Sequence, residues 1–232
     1  MTSPSVRWFP TIVAVFTATL VVSNIIAVKL VDLFGLTLPA AVILFPVAYI
    51  FGDVLTEVYG YARARQAIWT GFACNLLAVV AIWIGGRLPA ASLWTAGVYE
   101  SPEQASLAYQ AILGFTPRLL GASFIAYLAG EFLNAFVLAR LKLATGGRLL
   151  WVRTIASTLV GQGIDSAIFI SLSFAGILPS QALVQAILAQ WLVKCAFEAL
   201  ATPATYSVVN ALKRAEGQDV FDRDTDFSPL RF

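Results

Sequence analysis

Six ionisable side chains interrupt apolar runs of this sequence: Asp53, Glu57, Glu131, Asp165, Lys194 and Glu198. Asp53 and Glu57 stand four apart in "FPVAYIFGDVLTEVYGY" (45–61). A helix puts them on one face, where like charges repel. Amides keep similar company. Asn134 follows Glu131 by three, Asp165 follows Gln162 by three, and Gln190, Lys194 and Glu198 step by four. Carboxylates accept hydrogen bonds, and amides both donate and accept. Such a set suits a polar, donor-rich molecule. A guanine-like edge, with a ring N–H beside an exocyclic amine, is one that a single carboxylate can accept. Tyr49, Phe51, Phe132 and Phe169 could stack on a flat ring, or serve as ordinary packing residues.

The elements that must carry these groups are hydrophobic. Of 232 residues, 59% are hydrophobic and 12% charged, where soluble domains average about 25% charged. Too little polar surface is left to face water, so the expected solvent is lipid. Six segments reach spanning length: 8–30, 38–61, 66–86, 117–140, 153–177 and 181–211. The first is too long for the apolar region of a cleaved signal peptide. The expected fold is an all-α integral membrane protein, a bundle of six transmembrane helices. Residues 1–211 form one membrane domain and 212–232 an acidic tail.

That assignment places five acids and one base at membrane depth. Each costs about 2.5–3.5 kcal/mol at a lipid-facing helix centre, so six would cost on the order of 15–20 kcal/mol. They should therefore face one another or a wet cavity, as a polar layer near the bilayer midplane. Ser23 and Asn24 interrupt the first span in the same way, and Gly130, Gly161, Gly163 and Ala199 would let helices approach closely. In a purely structural reading, Lys194 and Glu198 form a local ion pair and the other acids bond between helices. One base cannot neutralise five acids, so some must hold a proton or await a ligand.

Local signals set the boundaries. Thr116-Pro117 has the form of a cap followed by Pro at the first helical position, Gly60 sits at a helix C-cap, and Pro179-Ser180 is a tight connection. The long connection 87–116 contains "PEQASLAYQAIL", a helix capped by Ser101, which would lie on the membrane surface or cover the mouth of a site. Nine Lys and Arg fall on one side of the spans and three on the other, which puts both termini in the cytoplasm. The tail is acidic, and its aromatics Phe221, Phe227 and Phe232 could dock on the cytoplasmic face. Cys74 and Cys195 lie in apolar runs as small hydrophobes. The chain has no histidine, so the commonest general base and metal ligand are missing. Neither "IFGD" nor "GQGID" has the Gly-x-Gly-Asp of aspartyl intramembrane proteases. No enzyme activity, cofactor, metal or nucleic-acid partner is expected.

The chain resembles the queuosine-precursor transporter (VUT) family over nearly its whole length. The resemblance rests on "SNIIAVK" (23–29), "GDVLTEVYGYARAR" (52–65), "GEFLNAFVLARLK" (130–142), "GQGIDSAIF" (161–169) and "KCAFEALATPATY" (194–206), with a similar ending, "DTDFSPLRF". It implies a six-helix protein of the bacterial inner membrane that imports cyano- and aminomethyl-deazaguanine, and in some members queuine. By motif position, Asn24, Asp53, Glu57, Glu131, Asn134, Gln162, Asp165, Lys194 and Glu198 would line or support the substrate site. A homodimer is compatible with it. The helix number is similar to that of the substrate-binding subunits of energy-coupling-factor importers, which need an ATP-driven partner. Ala14 and Ala18 have the small-xxx-small spacing that could dock such a partner.

Overall fold

Proline opens most of the helices. Pro10, Pro46 and Pro102 each occupy the first or second helical position, where the missing N–H costs nothing. The computed structural model describes residues 6–33, 36–114 and 117–231. In order, it contains α1 (Phe9–Ile26), β1 (Leu30–Leu33), β2 (Leu36–Pro39), a 3₁₀ turn (Ala40–Leu44), α2 (Phe45–Tyr59), α3 (Tyr61–Gly85), α4 (Pro102–Leu113), α5 (Pro117–Ala144), α6 (Leu150–Phe174) and α7 (Ser180–Glu216). Thr116 and Phe232 lie outside the described residues, and with them the proposed cap and the last docking aromatic.

The protein is mostly helical. Five helical stretches are long and apolar enough to cross a membrane: α1, α3, the stretch Pro102–Ala144 that contains α5, α6 and α7. The expected second span differs. Residues 38–61 do not form one helix. They begin in a small antiparallel hairpin, in which Leu30 pairs with Pro39 and Leu33 with Leu36. They then pass through the 3₁₀ turn into the 15-residue α2. Pro46, at the second position of α2, explains the break: it has no N–H and its ring clashes with the carbonyl four residues earlier, so an α-helix does not run back past it.

Contacts sort the helix ends into two groups. At one end, the backbone N–H groups of Arg7 and Trp8, opening α1, donate to Glu216 at the foot of α7. Tyr59, closing α2, donates its hydroxyl to the same carboxylate at 2.9 Å. The end of α5 joins this group through Lys142, and the start of α6 through Arg153. At the other end, Arg118 near the start of α5 donates to the carbonyls of Leu172 and Ala175 that finish α6. There α4, capped by the Ser101 hydroxyl as expected, lays Tyr109 against Gly85 and Gly86. Leu107 and Ile112 face outward, as suits a surface-lying helix.

The longest helix, α7, shows how sequence selects a lipid face. Val184, Leu188, Leu192 and Leu200 are exposed at multiples of four residues, forming one stripe. On the inner side lie Glu198, Ala201, Thr202, Thr205 and Val209.

The tail is ordered against the bundle, and α7 runs on to Glu216, further than the expected boundary at 211. Asp222 accepts from the Tyr61 backbone N–H at 3.0 and 3.1 Å, and so caps α3 from 161 residues away. Tyr61, Arg65 and Trp69 then donate in turn to the carbonyls of Phe227, Asp226 and Ser228, and Pro229. Gly60 makes this possible. Its φ of +81° suits glycine, and a Cβ there would come within 2.7 Å of Val220. The expected aromatics dock too. Phe227 packs on Tyr61 and Phe136, and Phe221 lies under the Lys142 ammonium at 4.7 Å.

Candidate functional site: buried charge in two places

The nine residues singled out by sequence do not form one layer. Glu57 belongs to the tail end. Its carboxylate takes a bidentate grip from Arg153, at 2.8 and 3.3 Å, and a bond from Lys213 at 2.6 Å. Its carbonyl accepts from Lys142 at 2.5 Å. Lys142 also bonds Asp219, and Lys213 reaches Asp219 at 2.9 Å. Glu57, Lys142 and Arg153 are each 1% exposed or less. Burial alone would raise the Asp219 carboxyl, but the two ammonium groups hold it below the ordinary aspartate range. Every charge here has a partner, which is what ions removed from water require.

Asn24 also sits apart. It donates to Asn75 of α3 at 2.8 Å, a closed amide pair. Asn75 was not foreseen, although it is a lone amide in an apolar run.

Three elements meet around a different centre. Ala48, Tyr49, Gly52 and Asp53 of α2, Glu131 and Asn134 of α5, and Thr158 and Gln162 of α6 line a small enclosed cavity. Its free volume is about 10 Å³, roughly that of one water molecule. Asn134 donates to Asp53 at 3.3 Å. The close approach of α5 and α6 depends on glycine. A Cβ on Gly130 would lie 2.8 Å from the Asp165 Cβ, and one on Gly161 would lie 2.8 Å from both the Asn134 Cβ and the Gly130 carbonyl. Sequence reasoning found Asp53, Glu131, Asn134 and Gln162; it missed Thr158, which carries no charge to mark it.

Asp165 and Lys194 form an ion pair between α6 and α7. This corrects the expected pairing of Lys194 with Glu198. The four-residue spacing permits the local pair, but α6 presents a carboxylate to Lys194 from the neighbouring helix. Glu198, 1% exposed, faces Asp53 across the contact between α7 and α2 instead. Two carboxylates offer only acceptors. Asp53 Oδ2 and both Glu198 oxygens accordingly find no donor among the described residues.

The fold and site define a polytopic membrane protein with a small cavity, lined in part by carboxyl and amide side chains, among its helices. The family described as "Putative vitamin uptake transporter" matches residues 39–208. A protein of Bacillus subtilis (strain 168) described as "Probable queuosine precursor transporter" is 31% identical over 199 residues, covering 84% of this chain and 82% of the relative. The chain belongs to this family of transporters, which is not a family of enzymes. No solved structure matches it.

Proposed function

We propose that the protein carries cyano- and aminomethyl-deazaguanine across the bacterial inner membrane into the cytoplasm, and that the cavity between α2, α5 and α6 is the closed form of its substrate site. One observation carries the reading: the carboxylates and amides of Asp53, Glu131, Asn134 and Gln162 converge on the same small space, where Asp53 Oδ2 and Asn134 Oδ1 have no donor among the described residues. They match a donor-rich planar edge, with Tyr49 placed to meet its ring. Asp165, Lys194 and Glu198 support the site from α6 and α7. Glu57 and Asn24 act through the fold. The free volume is far below the ~300 Å³ of ordinary ligand pockets, so a base enters only when the helices part.

Six passes are consistent with the two groups of helix ends. The sixth pass is α2 with its 3₁₀ turn: 15 residues at 1.5 Å and 5 at 2.0 Å give about 32 Å, against a hydrocarbon core of about 30 Å. The tail end, rich in Arg and Lys, faces the cytoplasm. Residues 1–211 form the membrane domain, and the chain beyond packs under it.

Purified protein in ATP-free liposomes tests the reading. Labelled cyano-deazaguanine should accumulate inside, with guanine as the competitor that reports selectivity. An absence of both uptake and binding would remove the function. A second reading has one observation in its favour: Ala14 and Ala18 are exposed on α1, a face small enough to seat a partner helix. Binding without uptake in the same liposomes would select this reading, a substrate-binding subunit driven by an ATPase. Light scattering of the detergent complex decides between one copy and a homodimer.

A further inference from the structure

We propose that Asp53 and Glu198 form a proton-binding site, one proton held between two carboxyl groups, and that a base entering the adjoining cavity expels that proton. The second half rests on the cavity being the base site; the first does not.

The geometry leaves the contact no other donor. Asp53 Oδ1 takes the Asn134 amide, while Asp53 Oδ2 and both Glu198 oxygens lack one among the described residues. Among the described residues, the surroundings supply no free cation. On α2 the titratable neighbours are Tyr49 and Glu57, and Glu57 is held by Arg153 and Lys213. From α5 comes Glu131, and from α6 Asp165, which already holds Lys194. On α7 itself Cys195 and Lys194 stand beside Glu198. Two negative charges in contact repel strongly even where the surroundings screen them well. A single proton converts that repulsion into a hydrogen bond, as in carboxyl pairs that cannot both ionise. Its titration belongs to the pair rather than to either residue.

Asp53 also lines the cavity, which couples the proton to the ligand. A base that points a ring N–H and an amine at Asp53 supplies the donors that the carboxylate lacked. Asp53 then no longer needs the shared proton, and Glu198, wetted as the helices part, gives it up to water and is solvated as a carboxylate. One proton is released for each base bound, and no covalent bond to the base changes.

Two measurements on the full chain in detergent test this. The first is the infrared absorption of protonated carboxyl groups at neutral pH. Glu198→Gln replaces the proton with an amide donor, so one carboxyl band present in the wild type should vanish. Asp53→Asn should remove the same band and guards against a folding defect in either variant. An unchanged band in both variants overturns the proton site. The second is the affinity for cyano-deazaguanine, a neutral probe, between about pH 6 and pH 8. Release of one proton makes binding tighten by up to tenfold per pH unit, and the slope should disappear in Glu198→Gln. A band that vanishes beside a flat wild-type affinity keeps the proton site and overturns its expulsion by the base. No binding at any pH, with the band behaving as stated, removes the substrate reading and leaves the proton site standing.

Discussion

The tail end and the helix interior handle buried charge in opposite ways. Around Glu57, three cations and a second acid close a network in which every charged group touches an opposite one. Around Asp53, acids outnumber cations, and Lys194 is already spent on Asp165. The first arrangement holds parts together. The second keeps acceptors in need of a donor, which is the condition for binding something else. On the proposed site, then, the presence of a charge at depth does not mark a binding residue; the lack of a partner does.

The sharpest way to break the comparison is Glu57→Ala. It leaves Arg153 buried without its acid and Lys142 and Lys213 sharing Asp219 alone, so stability should fall by about 3–5 kcal/mol, read as a large drop in melting temperature in detergent. Glu131→Gln should do the reverse: uptake of labelled base lost by at least about tenfold, which corresponds to roughly 1.4 kcal/mol of binding, with the melting temperature held. If Glu131→Gln melts like Glu57→Ala, the two regions are not distinct.

Lys194→Ala tests the corrected pairing. It should destabilise through Asp165, and Asp165→Asn in the same chain should restore most of the loss; restoration by Glu198→Gln instead would return the local pair. A smaller effect is expected at the tail. Asp222→Ala removes the cap on α3, worth about 1 kcal/mol, and should be seen first as faster proteolysis of residues 217–231. The smallest is a pH effect. The Asp219 carboxyl sits below its ordinary value, so its hold on the tail is complete above about pH 4 and weakens as pH falls through the depressed value. Acid should therefore loosen the tail, measured by the same proteolysis, and Asp219→Asn should remove that dependence.

What could be read from the residues is what is local. The Ser101 cap, the Gly60 turn and the lipid stripe of α7 follow from spacings of a few positions. The ion pairs between distant segments do not. Glu57 and Arg153 are 96 apart in the chain, and nothing in either segment names the other. The Lys194 assignment failed for the same reason, since a local rule competed with a neighbour that only packing supplies. The second span misled because the apolar run 38–61 is continuous in composition while Pro46 divides it in conformation. The tail's aromatics pointed to docking, but its backbone carbonyls, which composition does not display, make many of the bonds that hold it.

The glycine contact between α5 and α6 has a mechanical consequence. Gly130 and Gly161 bring two backbones nearly together, and Arg118 ties the far end of the same two helices. A seam this tight has no slack, so the two helices must travel as one plate. On the proposed site, the wall left to move for a base is then the one opposite, α2.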